Sequence, residues 1–197
     1  VRRTESAAAT RRALLDQAAA LLDRGGPDAV TLREVGARAG VSRGAPYRHF
    51  CDKQSLLTAI AIESWGRLAD HMQALQDDPR LLPADRMRAA LTGVITVSRR
   101  QPHLYQLMFT TPTGDPSAVV RAAQRMCDEF LAIVSTVVGE RDAARYAAVL
   151  LAGVHGAAGL ESSGILSTDK WHTTAEELID TLLATVAEAD RHSEPHR

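Results

Sequence analysis

Apolar residues recur at intervals of three and four along nearly the whole chain, and no stretch sustains the alternation of apolar and polar positions expected of a half-buried strand. This periodicity predicts an all-α protein of about nine helices. Leu14, Leu15, Ala18, Leu21 and Leu22 form the apolar face of a first helix, which opens near Thr10 and closes at Arg24-Gly25-Gly26-Pro27. The residues before it, Val1 to Ala9, read as a short arm containing Arg2 and Arg3, either unstructured or reaching toward a nucleic-acid backbone. A long fourth helix starts near Asp52 and carries Leu57, Ala61, Trp65, Leu68, Met72 and Leu75 until Asp77-Asp78-Pro79 stops it. Met87, Leu91, Val94 and Ile95 mark a fifth. A short apolar sixth spans His103 to Phe109 and runs into a loop from Thr110 to Pro116.

The last three helices carry different patterns. The seventh, Ser117 to Val138, aligns Val120, Ala123, Cys127, Phe130, Val134 and Val137 on one stripe. The ninth, near Thr174 to Asp190, repeats Ala175, Leu178, Ile179, Leu182, Leu183 and Val186, and residues 192–197 read as a disordered tail. The eighth, near Asp142 to Ser163, is apolar almost all round. Between Tyr146 and Leu160 its only strongly polar residue is His155, and Gly153, Gly156 and Gly159 leave room for another backbone. Such a helix must be covered on both sides, one by its own core and the other by a partner subunit. With the ninth it predicts a four-helix contact across a two-fold axis, through Leu150, Val154, Ala157, Leu178, Leu182 and Val186.

The most informative stretch is Thr31 to Leu57. Thr31 and Glu34 have the spacing of a reciprocal helix cap, Leu32, Val35 and Ala39 share a face, and Gly40 can take the left-handed conformation that ends a helix. Val41 is an apolar plug for a helix-turn-helix corner, and Ser42 reads as the cap of a short second helix. That helix, through Phe50, is too short and too rich in donors to build a core. Arginine grips guanine edges in a major groove, whereas hydroxyl, imidazole and ammonium groups reach phosphate. Candidate DNA contacts are therefore Thr31, Ser42, Arg43, Gly44, Ala45, Tyr47, Arg48, His49 and Lys53. Lys53 sits in the first turn of the next helix, where the macrodipole disfavours a cation unless an anion is close.

The Thr-initiated helix, the Ala-Gly-Val-Ser turn, Tyr47-Arg48-His49-Phe50, Lys53 and the Leu56-Leu57 pair together resemble the DNA-binding head of the tetracycline-repressor-like (TetR) regulators. Pro46 departs from that pattern. As the fourth residue of a helix begun at Ser42 it would remove an early hydrogen bond. The Ala152 to Gly156 segment with Leu160-Glu161 resembles a His-Gly-containing C-terminal module of one TetR subgroup, without the tryptophan usual before His-Gly. The resemblance implies a helix-turn-helix domain over residues 1–57, a fourth helix continuing as a connector to about 76, and a ligand-binding and dimerisation domain over 58–191. It further implies a homodimer that represses from a palindromic operator and is released by a small, largely apolar effector. A helical sensing or interaction module without DNA binding is the alternative.

Charge strengthens the DNA reading. A net charge of -1 over 197 residues conceals ten Arg or Lys against six acids up to Thr58, leaving the remainder acidic. A basic head on an acidic body suits a polyanion held at one end. Cys51 and Cys127 have no redox or ligand spacing, and neither a leader nor an apolar run of about 20 residues is evident, which predicts a soluble cytoplasmic protein. Effector contacts are less legible. Trp65, Met72, Leu104, Tyr105, Met108, Phe109, Phe130 and His155 are candidates, each with a plain packing role as the competing reading. His155 has no second ligand at metal spacing, and no phosphate loop, nucleophile elbow or Cys-His pair is present, so neither an enzyme, a metal nor a cofactor is expected.

Overall fold

The computed structural model describes the backbone of residues 2–110 and 117–193, and side chains over 6–110 and 117–187. Among the described residues there are nine α-helices and no strand: α1 (Arg2–Gly25), α2 (Leu32–Arg38), α3 (Ala45–His49), α4 (Lys53–Asp77), α5 (Pro83–Arg100), α6 (Pro102–Phe109), α7 (Ser117–Val138), α8 (Glu140–Ser162) and α9 (Ala175–Ser193). A single 3-10 turn over Pro27–Ala29 separates α1 from α2. The chain divides into two compact units, residues 1–65 with 101–123, and residues 66–100 with 124–197.

The first unit is built on α1. Leu14, Leu15, Ala18, Leu21 and Leu22 are buried, and α2, α3 and α6 pack against this helix. The N-terminal segment differs from expectation: helix begins at Arg2, so residues 2–9 extend α1. Thr10, expected as a cap, lies inside the helix and its hydroxyl donates back to the Ser6 carbonyl at 2.8 Å. Alanines at 7, 8 and 9 favour this extension, because alanine has the highest intrinsic helix propensity. The side chains of Arg2 and Arg3 lie outside the described ones. The division of the chain also differs from a boundary at residue 57, since α6 and the start of α7 belong with the helix-turn-helix. Gln101 donates to Asp23 at 3.1 Å, and His103 lies against Gly26.

The second unit packs α5, α8 and α9 together. Met87, Leu91, Val94 and Ile95 on α5 meet a core that includes Leu150 and Val154 on α8 and Ile179 on α9. Arg99 at the end of α5 forks onto two carboxylates, Glu161 through 2.6 and 2.7 Å bonds and Glu176 through 2.5 and 2.8 Å bonds. Its guanidinium holds the Glu176 carboxyl below the ordinary range. Helix α9 begins with a reciprocal cap in which the Thr174 amide donates to Glu177 and the Glu177 amide donates to the Thr174 hydroxyl. It runs to Ser193, past the expected end at Asp190, and residues 194–197 lie outside the described ones. So does the loop over 111–116. The buried stripe of α7 is Val119, Met126, Phe130, Ile133, Val134 and Val138, rotated from the expected one, with Val120 and Cys127 exposed.

Several expected interface residues are internal. Leu150, Val154, Ala157 and Val186 are all buried within the chain, so they cannot lie on a surface offered to a partner. Leu178 and Leu182 are half-buried. Gly153 likewise serves the chain's own packing, because a Cβ there would lie 2.6 Å from a Leu182 methyl. The open side of α8 carries instead Ala144, Ala148, Val149, Ala152, His155, Gly156, Gly159 and Leu160. Periodicity alone could not choose between the two sides of a helix apolar all round.

Candidate nucleic-acid interface

Helix α2 starts where its threonine cap predicts: the Glu34 amide donates to the Thr31 hydroxyl at 3.1 Å. Leu32 and Val35 are buried, and the turn closes at Gly40, which has a positive φ of 66°. The Val41 amide then donates to the Gly36 carbonyl at 3.2 Å.

The short helix after the turn begins later than expected. Its first residue is Ala45, with Gly44 as the cap residue, and no side-chain cap bond forms there. Ser42 contributes through its backbone carbonyl, which accepts from the Ala45 amide at 2.9 Å. This later start accounts for Pro46. It occupies the first turn, where an N–H would have no helical partner in any case, so the proline removes no helix bond. Its ring packs on α2 at Gly36, where an added Cβ would come within 2.6 Å of the proline Cγ. Glycine and proline therefore set the approach of the two helices as a pair. Gly36→Ala should destabilise the protein by about 1–3 kcal/mol through overpacking and weaken DNA binding by displacing α3, as measured by thermal melting and DNA-binding anisotropy.

The candidate contacts separate by exposure. Thr31, Ser42, Arg43, Gly44, Tyr47 and Arg48 are exposed, Tyr47 at 60% despite its size. His49 and Lys53 are half-buried. Ala45 is the correction: at 3% exposure it faces the core and cannot touch DNA. A groove of about 510 Å³ between α2 and α3 is lined by Leu32, Arg33, Gly36, Ala37, Val41, Arg43, Pro46 and Tyr47. Arg33 was missed by the sequence reading. Its signal was its place beside buried Leu32, which puts it on the open face of α2.

Electrostatics favour an anion at this surface. Arg43 and Arg48 have no ion pair among the described residues, whereas Arg38 is paired with Glu34 at 2.7 Å. The anion near Lys53 is in part internal, Asp28 at 3.9 Å, an exposed and weak pair. Helix α4 is capped by Asp52, whose carboxylate accepts from the Ser55 amide at 2.6 Å. That bond, followed by one from the Ser55 hydroxyl, lowers the Asp52 pKa. Beneath the surface, Phe50 is buried and Arg11 lies over its ring at 5.4 Å.

The candidate effector residues are distributed over both units. Trp65, Leu104, Tyr105, Met108 and Phe109 belong to the first unit, Met72, Phe130 and His155 to the second. The Phe109 ring stands 5.1 Å from Trp65, edge-on, and 4.9 Å from Tyr105. Burial raises the Tyr105 hydroxyl to about 12. Trp65 is only 4% exposed, and its Nε1 has no hydrogen-bond partner among the described residues. Such an unmade bond costs about 1–3 kcal/mol. Met72 and Phe130 are buried in the second unit, and His155 is exposed on α8. No group of three metal-ligating side chains occurs among the described residues.

Two family profiles match the chain. Residues 14–60 match the bacterial regulatory proteins of the tetR family, and residues 87–186 match the tetracyclin repressor-like C-terminal domain. The chain belongs to the TetR family. TetR members are DNA-binding transcriptional regulators, and the match to this chain spans less than two thirds of the length of the two curated relatives that follow. It is 29% identical over 129 residues to the transcriptional repressor KstR of Rhodococcus jostii, covering 64% of this chain and 59% of that protein. It is 31% identical over 125 residues to the transcriptional regulator AcrR of Shigella flexneri, covering 61% of this chain and 58% of the relative. A solved structure of a protein of unknown function from Rhodococcus sp. RHA1 superposes with a TM-score of 0.78 at 29% identity, covering 91% of this chain and 94% of that one. A TetR-family regulator from Streptomyces coelicolor shares the fold, with a TM-score of 0.62 at 23% identity over 90% of this chain and 99% of that one. Helix α8 is long and apolar enough to cross a membrane by length and composition. Its buried side nevertheless packs with α5 and α9 in the second unit.

Proposed function

We propose that this TetR regulator is a cytoplasmic homodimeric repressor that binds a palindromic operator and is released by a small, largely apolar effector. The observation that carries the DNA half is α3 and the turn before it, where Arg43, Tyr47 and Arg48 are exposed, the two arginines have no ion pair among the described residues, and the base is fixed by Gly36 and Pro46. Arg43 and Arg48 read bases, Tyr47 and Thr31 hold groove edge or phosphate, and His49 and Lys53 hold phosphate. Arg33 adds a further phosphate contact.

Two such readers meet half-sites about 34 Å apart, one helical turn of DNA. The open side of α8 supports pairing, since Ala148, Val149, Ala152, Gly156, Gly159 and Leu160 form an exposed apolar strip with little side-chain bulk. An effector that prefers another spacing of the readers lowers affinity by its preference between states, and couplings of about 1–3 kcal/mol change occupancy about 5- to 150-fold.

Arg43→Ala should relax discrimination at one operator position. Lys53→Ala should weaken binding to every sequence and lower the salt slope by about one unit. A salt titration of both variants against operator and random duplex tests the assignment; wild-type curves for both would remove it.

A further inference from the structure

We infer that Trp65 is the polar anchor of the effector site, and that the effector is a neutral, mostly apolar molecule carrying a hydrogen-bond acceptor such as a ketone, ester or ether oxygen. This rests on the effector-release reading above and narrows it to one atom and one chemical class. The indole Nε1–H of Trp65 is a donor that is buried yet unpaired among the described residues. Indole nitrogen can only donate, so whatever completes it must accept. Buried polar groups in folded proteins are almost always satisfied, and an orphan of this kind calls for a partner.

The surroundings decide what kind of acceptor. Phe109 and Tyr105 form an aromatic cluster with Trp65, and Phe109, at 40% exposure, is its outer leaf. One and two turns earlier on α4, Ala61 and Thr58 line a small cleft of about 20 Å³ with Gln54, Leu107, Thr110 and Val119. None of these side chains is charged. A carboxylate or phosphate brought here would be desolvated without a cation, whereas a neutral carbonyl or ether would lose little and complete the N–H. Neither Trp65 nor Phe109 lines this small cleft as it stands, so an effector there would have to turn Phe109, the exposed member of the cluster, aside to reach the indole. That ring ends α6, so occupancy shifts the helix that packs against α1.

The test uses protein labelled with nitrogen-15 at tryptophan, which gives two indole signals, from Trp65 and Trp171. Trp171→Phe, at an exposed position, assigns them. Cyclohexanone, an apolar ring with one acceptor, should move the Trp65 N–H proton downfield saturably and weaken binding to a selected DNA duplex. Methylcyclohexane and cyclohexanecarboxylate should not move it. Trp65→Phe keeps the aromatic packing and removes the donor, and should lower cyclohexanone affinity about tenfold, equivalent to about 1.4 kcal/mol, with its melting temperature recording that it folds. An unmoved Trp65 signal with cyclohexanone, an equal shift with methylcyclohexane, or equal affinity in Trp65→Phe would each overturn the assignment. DNA binding measured without any probe is independent of all three, so loss of the regulator reading is distinguishable from loss of this site.

Discussion

Gly156→Glu should convert the proposed dimer to a monomer and reduce operator affinity about 100- to 10,000-fold, the factor lost when two tethered readers become independent. Gly156 is exposed on α8, and an added Cβ there meets nothing within 4 Å. A glutamate is thus accommodated by the single chain, and replacing a mid-helix glycine improves helix propensity by a few tenths to about 1 kcal/mol. Only a second copy seated on this side would be disturbed, because a charged side chain would then be buried in an apolar contact. Sedimentation gives the mass, and anisotropy with a two-half-site duplex gives the affinity. An unchanged dimer would remove the open side of α8 as the interface. Val154→Glu makes the contrast: a charge at a fully buried position should unfold the chain rather than divide a dimer.

Phe130→Ala should destabilise the protein by about 3–5 kcal/mol, the cost of removing a buried aromatic ring from a packed core. Phe130 is 2% exposed, on the stripe of α7 that also carries Met126, Ile133 and Val134. Were it mainly an effector contact with room beside it, truncation would cost far less stability and would chiefly alter the effector response. Urea denaturation monitored by circular dichroism separates the two, since the midpoint should fall with little change in slope. A midpoint within the error of the parent would return Phe130 to the candidate effector residues.

The sequence was most legible where one local rule decides one feature. Thr31 with Glu34, Gly40 with its positive φ, and Ser117 to Val138 as a single helix are all of this kind, and the structure has each of them. It was less legible where two rules compete. Ser42 is a good cap residue, but Pro46 favours the first helical turn, and the proline sets the start of α3. The alanine run in residues 7–9 outweighs a polar-arm reading and carries α1 to Arg2. Which side of α8 faces inward depends on α5 and α9, because apolar residues surround the helix and only tertiary contacts select Leu150 and Val154. Exposed donors on a short helix are what made the candidate DNA surface legible; of its residues Ala45 is the one the structure turns inward. A candidate effector site was less legible, since tryptophan, methionine and phenylalanine serve a core and a pocket equally well, and an unpaired indole N–H has no signature in a sequence.

The central claim, two coupled cationic readers spaced for one face of a duplex, is tested most directly by selecting bound sequences from a random pool of double-stranded DNA with the purified protein. The account predicts enrichment of an inverted repeat whose half-sites are centred about one helical turn apart. Enrichment of an unpaired motif, or recovery of the starting pool unchanged at low salt, would contradict it.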